Sequence, residues 1–156
     1  MKPISLYIHI PFCKQKCKYC AFVSFVGKEA YYEGYINKVI EELDFHKKII
    51  GNKEIATIYI GGGTPSVLDK HQLPKLLDHI KQNFTLKLGA EITVEANPES
   101  FTFDKAVLWK NAGVNRLSFG LQSIDDEVLK KLGRVHTYND YLIAIENAKK
   151  AGFTNI

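Results

Sequence analysis

The sequence predicts an α/β fold in which strands and helices alternate and a parallel sheet forms part of a barrel. The hydrophobic period changes repeatedly between about two residues, which is typical of strands, and about 3.6, which is typical of helices. The strand-like segments also carry a polar residue at every second position, although the strands of a parallel sheet covered on both faces are usually apolar throughout. With 156 residues and 46% hydrophobic content, the chain is sized for one compact core.

The first predicted unit is a strand over residues 6–10 followed by a helix over residues 30–50. Pro11 ends the strand because proline cannot continue a sheet ladder. The helix carries apolar residues at helical spacing, and Gly51 ends it. The loop between the two elements starts at the carboxyl end of the strand, where βα folds place their ligands.

Strand and helix signals alternate through the rest of the chain without a linker or a low-complexity tract. The predicted elements are a strand at 55–60, a helix at 69–84, a strand at 90–96, a helix at 104–111, a strand at 115–121, a helix at 125–132, a helix at 138–151 and the start of a fifth strand at 153–156. The predicted barrel segment therefore consists of four βα units and the first residues of a fifth strand.

Alternate residues of the predicted strands lie on opposite faces of the sheet. One face is apolar and must receive the helices. The other face carries polar side chains, namely Tyr7, His9, Thr57, Tyr59, Glu91, Thr93, Glu95, Arg116, Ser118 and Gln122. A polar face suits a barrel interior that opens into a ligand cavity. A sheet face exposed to solvent is the alternative interpretation.

The composition argues against several classes of protein. A net charge of +4 without dense runs of lysine and arginine does not indicate a nucleic-acid partner. No segment combines a basic start with an apolar run, and no segment approaches the roughly eighteen apolar residues of a membrane span. We therefore expect a cytoplasmic protein without a membrane span, in a compartment where thiols stay reduced.

All three cysteines, Cys13, Cys17 and Cys20, lie within eight positions on the loop after the first strand, with the spacing C-x3-C-x2-C. An odd number of thiols disfavours a set of disulfides, and the interleaved lysines favour the thiolate form. Structural zinc needs four ligands, and the nearest further candidate, His9, lies on the strand. An iron–sulfur cubane held by three thiolates leaves one iron open for a substrate. Thiols without a metal are the third alternative.

The residues around the cysteines, YIHIPFCKQKCKYCAF at positions 7–22, resemble the radical S-adenosylmethionine (SAM) enzymes, and within them the subgroup similar to oxygen-independent coproporphyrinogen III oxidase. The resemblance implies a TIM-like (β/α) barrel of the radical SAM type, with a [4Fe–4S] cluster bound by Cys13, Cys17 and Cys20. It also implies that the amino and carboxylate groups of SAM bind the fourth iron. An electron from the cluster would then cleave SAM to methionine and a 5′-deoxyadenosyl radical.

A glycine-rich segment, GGGTP at positions 61–65, follows the second predicted strand. Glycine has no Cβ and allows the backbone to approach a ligand closely, although a glycine run by itself is more often a tight turn. The segment lacks both the G-x-G-x-x-G pattern and a Walker lysine. By the resemblance, Gly62, Gly63 and Thr64 contact SAM, as does Tyr7 on the polar face.

Three residues near the ends of later strands complete the predicted SAM contacts. By the resemblance these are Glu95, for the SAM ammonium group, together with Gln122 and Arg134. A buried carboxylate needs a cation or a donor, so a structural salt bridge from Glu95 to Arg116 is the alternative. For Arg134 the alternative is a solvated loop position. No residue is assigned a catalytic role.

Position 22 bears on the branch of the subgroup. The coproporphyrinogen dehydrogenases usually place a fourth cysteine there. Phe22 instead resembles the haem-chaperone branch, although Ala21 replaces an acidic residue that is frequent in that branch. The resemblance thus implies a protein that delivers haem to acceptor proteins, with oxidative decarboxylation of coproporphyrinogen III as the alternative activity. Apart from the resemblance, the cysteines leave a zinc-stabilised βα domain as a further alternative. The implied partners are SAM, haem or a porphyrinogen, and an electron donor such as a flavodoxin-like protein.

Members of this family continue well past the end of the present sequence. We therefore expect residues 1–156 to be the N-terminal part of the radical SAM core domain, truncated after about four βα units. The acidic SAM contact of the family's fifth strand, and the haem-binding C-terminal region of the chaperone branch, would lie outside it.

Overall fold

The computed structural model describes residues 2–156, in which strands and helices alternate along most of the chain. The elements are β1 (Ile4–Ile10), α1 (Tyr32–Ile50), β2 (Ile55–Gly62), α2 (Gln72–Asn83), β3 (Leu86–Ala96), α3 (Phe103–Asn111), β4 (Arg116–Phe119), α4 (Asp126–Leu132) and α5 (Tyr138–Lys150). Short 3-10 turns lie at Glu29–Tyr31, Pro65–Val67 and Pro98–Ser100. No helix among the described residues has the length and apolar character needed to cross a membrane.

The strands form one parallel sheet in the order β1-β2-β3-β4. The register places Tyr7 opposite Tyr59 and Tyr59 opposite Thr93, so the predicted polar residues of neighbouring strands lie in one row. Because all strands run in the same direction, their carboxyl ends meet at one edge of the sheet. That edge carries the loops with most of the predicted site residues.

The apolar face of the sheet is buried under the helices. Its strand residues are Ile8, Ile10, Ile58, Ile60, Ile92, Val94 and Leu117, each at most 5% exposed. Buried side chains of the helices belong to the same core, including Ile36 of α1, Leu77 and Ile80 of α2, and Trp109 of α3. This packing confirms the predicted apolar face. It is also the main source of stability, because burying one large apolar side chain contributes roughly 1.5–3 kcal/mol.

The link between α4 and α5 follows a well-defined path and carries Arg134. Asp125 caps the start of α4 with its side chain, and Gly133 ends that helix with a φ of 77°, a conformation that suits glycine. Thr137 and Asp140 then form a capping box at the start of α5. Arg134 is therefore held between two capped helix ends.

The structure differs from the prediction at the ends of the sheet. Residues 153–156 do not form the predicted fifth strand. Only one backbone hydrogen bond joins them to β4, from the Leu117 N–H to the Asn155 carbonyl at 3.0 Å, whereas a strand needs consecutive paired residues. β4 ends at Phe119 instead of residue 121, and Gln122 beyond it has a φ of 67°, which is incompatible with an extended strand.

Candidate cofactor site

The loop that follows β1 holds the three cysteines at the carboxyl edge of the sheet. Its two ends are tied together, because the Cys13 N–H donates to the Phe25 carbonyl (3.0 Å) and the Phe25 N–H donates to the Pro11 carbonyl (2.8 Å). Its middle is tied to the end of α4 by a hydrogen bond from the Lys18 N–H to the Leu132 carbonyl (3.0 Å). All three cysteines are free thiols of intermediate exposure, so they are available as ligands.

A cavity of about 280 Å³ lies between this loop and the strand ends. All predicted site residues except Tyr7 line it, namely Cys13, Cys17, Cys20, Gly62, Gly63, Thr64, Glu95, Gln122 and Arg134. These residues follow four different strands in the chain or stand at the ends of those strands. The fold therefore brings the predicted cluster ligands and most of the predicted SAM contacts together in one place.

Tyr7 does not line this cavity, and it is 57% exposed. Its hydroxyl donates to His9 Nδ1 at 3.0 Å, while His9 Nε2 donates to the Val23 carbonyl at 3.0 Å. His9 thus connects the polar face of the sheet to the cysteine loop, and Tyr7 supports it. The contact between Tyr7 and SAM stays a prediction.

The glycine segment at the end of β2 packs closely against other parts of the protein. A Cβ on Gly62 would overlap the ring of His9, and a Cβ on Gly63 would lie 2.7 Å from the Phe12 carbonyl oxygen. Gly62 also has a φ of 108°, which residues with a side chain rarely adopt. The glycines are therefore needed for the approach of the cysteine loop to β2, in addition to any approach of a ligand.

Glu95 lines the cavity near the end of β3 and accepts two hydrogen bonds. Its Oε1 accepts from the Tyr59 hydroxyl at 2.6 Å, and its Oε2 accepts from the Gly62 N–H at 3.1 Å. Arg116 pairs with Glu91 at 3.2 Å instead, so the alternative of a Glu95–Arg116 salt bridge is wrong. Among residues 2–156, no cationic side chain lies within salt-bridge distance of Glu95. The two hydrogen bonds hold the Glu95 carboxylate in place, and in the described part of the chain this carboxylate has no cationic partner.

Tyr59 is the donor that holds Glu95. Burial, followed by the hydrogen bond to the carboxylate, raises the pKa of Tyr59 to about 12, so its hydroxyl keeps its proton at neutral pH. The sequence placed Tyr59 on the polar face without giving it a role. The register between β2 and β3, which pairs Ile60 with Val94, brings the hydroxyl to Glu95.

Arg134 reaches the cavity from the link between α4 and α5, and four groups fix its guanidinium. Nη2 donates to Asn97 Oδ1 and to the Gly120 carbonyl, both at 2.8 Å. Nη1 donates toward Cys17 Sγ at 3.7 Å, and Nε donates to His136 Nδ1 at 3.4 Å. The alternative of a solvated loop arginine is therefore wrong.

A buried histidine and glutamate lie beside Arg134. His136 is 2% exposed, its Nε2 donates to the Leu121 carbonyl at 3.1 Å, and its Nδ1 lies 3.6 Å from Glu99 Oε2. Burial alone would raise the pKa of Glu99, but a backbone hydrogen bond and the positive charge of Arg134 lower it, and the pKa lies below its ordinary value. Glu99 therefore carries a negative charge next to the guanidinium side of the cavity.

Sequence reasoning missed Asn97, which lines the cavity and connects two predicted site residues. Its Nδ2 donates to Thr64 Oγ1 at 3.1 Å, and its Oδ1 accepts from Arg134. In the sequence, Asn97 stands before Pro98, and that pair is typical of a chain break after a strand. Its position two residues after Glu95 at a strand end was the signal that could have found it.

The donor set fits a metal cluster better than a single metal ion. In the described part of the chain, no three His, Cys, Asp or Glu side chains are grouped so that they could hold one ion, whereas a cubane binds each thiolate through a different iron. The Thr64 hydroxyl donates to Cys13 Sγ at 3.3 Å, and Arg134 donates toward Cys17 Sγ. These donors face the sulfur atoms that would hold the cluster.

The chain is similar to known proteins in both sequence and structure. A family profile described as Radical SAM superfamily matches residues 7–156. Heme chaperone HemW of Bacillus subtilis is 42% identical over 155 residues, which cover 97% of this chain and 40% of that protein. Heme chaperone HemW of Escherichia coli is 45% identical over 137 residues, which cover 87% of this chain and 36% of that protein.

Among solved structures, this chain matches coproporphyrinogen III oxidase (HemN) from Escherichia coli, which is a radical SAM enzyme. The TM-score is 0.90 and the sequence identity is 29%. The match covers 97% of this chain and 35% of that one. This likeness confirms the predicted α/β fold of parallel βα units. The chain spans about 40% of the length of the curated relatives that it matches.

Proposed function

Because this chain belongs to the radical SAM superfamily, we propose that Cys13, Cys17 and Cys20 hold a [4Fe–4S] cluster and that SAM binds beside it in the cavity. When bound, such a cluster supplies one-electron reduction, and its iron without a protein ligand is open to SAM. The observation that carries the proposal is the convergence, in one cavity, of three free thiols with the oppositely charged Glu95 and Arg134.

The cavity offers complementary partners for the amino-acid part of SAM. Glu95 presents a carboxylate without a neighbouring cation, which suits an ammonium group. Four of the five N–H groups of Arg134 already face protein acceptors, so one remains for the SAM carboxylate and the contact would be single instead of bidentate. Gln122 and residues 62–64 line the same cavity, and we propose them as further SAM contacts. We also propose a SAM contact for Tyr7, which lies on the neighbouring polar face of the sheet.

We propose further that the protein acts in haem metabolism, in the manner of the haem chaperones among its relatives. Identities of about 40% to proteins named heme chaperone support this function. Phe22 supports it too, because it lines the cavity with an apolar ring where a fourth cysteine would stand, and it is 66% exposed. We also propose that haem is the cargo, that a flavodoxin-like protein donates the electron and that the protein is cytoplasmic.

Oxidative decarboxylation of coproporphyrinogen III is the second candidate function. The structural match to HemN, at a TM-score of 0.90, favours it. The phenylalanine at position 22 weighs against it. Both candidate functions use the same cluster and the same SAM site. They differ in the molecule that the protein acts on, which is haem in the first and coproporphyrinogen III in the second.

Metal analysis tests the cofactor. After anaerobic reconstitution, we expect about four irons and four sulfides per chain, with an optical spectrum that changes when SAM is added. Zinc without inorganic sulfide would contradict the cluster and would support the zinc-stabilised domain.

A second experiment separates the two haem-related functions. The reduced full-length protein with SAM is offered coproporphyrinogen III in one assay and haem in another, because the expected haem-binding region lies outside residues 1–156. We expect haem binding without consumption of the porphyrinogen. Formation of protoporphyrinogen IX would establish the alternative activity.

A further inference from the structure

A series of hydrogen bonds along the cavity lining connects the sulfur atoms of two cysteines. The Thr64 hydroxyl donates to Cys13 Sγ (3.3 Å) and accepts from Asn97 Nδ2 (3.1 Å). Asn97 Oδ1 accepts from Arg134 Nη2 (2.8 Å), and Arg134 Nη1 donates toward Cys17 Sγ (3.7 Å). Asn97 is thus the central member of a series that begins at one sulfur and ends at another.

The carboxamide of Asn97 suits this position because it both donates and accepts. A carboxylate could accept from Arg134 but could not donate to Thr64. The backbone of Asn97 is also held in place, because its N–H donates to Ser66 Oγ at 2.9 Å and Ser66 Oγ bonds to Ser100 Oγ at 2.6 Å. Both serines are buried, so this support is shielded from water.

We propose that Asn97 is a positioning residue that orients Thr64 and Arg134 toward the cluster sulfurs and thereby raises the reduction potential of the cluster. The inference rests on the proposed function, in which Cys13 and Cys17 are cluster ligands. Hydrogen bonds to those sulfurs favour the reduced cluster, which carries more negative charge. Each bond in a series polarises the next, so loss of the central member weakens both terminal bonds.

The test is the midpoint potential of the reconstituted cluster in Asn97→Ala, measured by redox titration with EPR detection before SAM is added. We expect a lower potential than in the wild-type protein at the same iron and sulfide content. Asn115→Ala is the matched control. Asn115 likewise accepts from one group, the Ile92 N–H, and donates to another, the Ala90 carbonyl, but it does not line the cavity. The potential of this control should equal that of the wild-type protein.

Variants of Thr64 test the same series from its other side. Thr64→Val removes the donor to Cys13 and should lower the potential, whereas Thr64→Ser keeps the hydroxyl and should preserve it. In the double variant Asn97→Ala/Thr64→Val, the shift should be smaller than the sum of the two single shifts, because both changes act through the same bond to Cys13.

An unchanged potential in Asn97→Ala at full iron content would overturn the inference, as would an equal shift in Asn115→Ala. If Asn97→Ala does not retain a cluster, Asn97→Ser decides in its place, because it replaces the carboxamide that bonds to both Thr64 and Arg134 with a shorter hydroxyl. A lower potential in that variant supports the inference, and an unchanged one overturns it. Absence of a [4Fe–4S] cluster from the wild-type protein would overturn the proposed function and the inference with it, so the two failures are distinguishable.

Discussion

The three cysteines come from one short motif, yet their surroundings differ. Cys13 accepts a hydrogen bond from Thr64, and Cys17 accepts one from Arg134. Cys20 instead donates its backbone N–H to the Cys17 carbonyl at 3.1 Å. If each thiolate binds a different iron, none can be replaced by another, because the sequence contains no fourth cysteine.

Replacement of any one cysteine by serine should therefore abolish a stable [4Fe–4S] cluster. Iron and sulfide analysis after anaerobic reconstitution of Cys13→Ser, Cys17→Ser and Cys20→Ser measures this. Ala21→Ser is the control on the same loop, because it introduces the same residue at an exposed position beside Cys20 and removes no thiol. A full complement of iron in any of the serine variants would contradict the assignment of three ligands.

Loss of the charge on Glu95 should weaken SAM binding and leave the iron content unchanged. In Glu95→Gln we expect roughly ten- to a hundredfold weaker binding, because a hydrogen bond to a charged group contributes about 1.5–3 kcal/mol. Calorimetric titration with SAM measures the affinity. Glu91→Gln is the matched control, since Glu91 lies on the same strand and pairs with Arg116 away from the cavity. Equal affinities of Glu95→Gln and the wild-type protein would refute the role of Glu95.

At the scale of secondary-structure elements, the contact between the end of β2 and β1 depends on Gly62. Gly62→Ala should lower the free energy of unfolding by roughly 1–3 kcal/mol, because it combines a strained φ with an overlap on His9. Gly89→Ala separates the two causes, since Gly89 also has a positive φ, of 75°, but has open space around its Cβ position. Urea unfolding should show the smaller loss for Gly89→Ala. Equal losses would show that the contact with His9 contributes nothing.

The 3-10 turn after β3 and the link after α4 are joined by Glu99 and His136. The pKa of Glu99 in the folded protein lies below its ordinary value of 4.5. Its ionised form therefore stabilises the fold above that pH, and the stabilisation is lost as the pH falls through the folded-state pKa. In Glu99→Gln, the urea midpoint should be lower than in the wild-type protein at pH 7, and the difference should shrink below pH 4.5.

The control for this pH dependence is Glu146→Gln. The pKa of Glu146 is also lowered, by its hydrogen bond with Lys150, but this pair lies on the exposed surface of α5, where ion pairs contribute little. We expect almost no change in the urea midpoint of this variant. A difference between Glu99→Gln and the wild-type protein that stays constant from pH 7 to pH 3 would exclude the ionisation of Glu99 as its cause.

Periodicity could predict most elements because the strands and the helices α1, α2, α3 and α5 share one buried core. The strand ends could predict where the site lies. The partners of Tyr59 and Asn97 could not be predicted, because they depend on strand register and on the path of the link after α4, which no local pattern encodes. The predicted fifth strand at 153–156 was wrong for a related reason. A strand needs a paired neighbour over several consecutive residues, and only the bond between Leu117 and Asn155 forms.

For the molecule as a whole, the two edges of the sheet differ. Among the described residues, β1 pairs only with β2, so its other edge leaves backbone N–H and C=O groups without a strand partner. The outer edge of β4 is partly covered, because residues 153–156 run beside it. An open strand edge is a template for pairing with another chain. β1 is therefore the element through which we expect copies of this chain to associate.

The 156-residue chain should self-associate as its concentration rises, and Ser5→Lys should oppose this association. Ser5 is an exposed residue of β1, and a lysine on an edge strand discourages pairing because a second strand would have to bury its charge. Anaerobic light scattering over a range of concentrations measures the mass. Gln82→Lys adds the same charge at an exposed position of α2 and should leave the association unchanged. A monomer at every concentration, or an equal effect of the two lysine variants, would show that the edge of β1 is not the site of association.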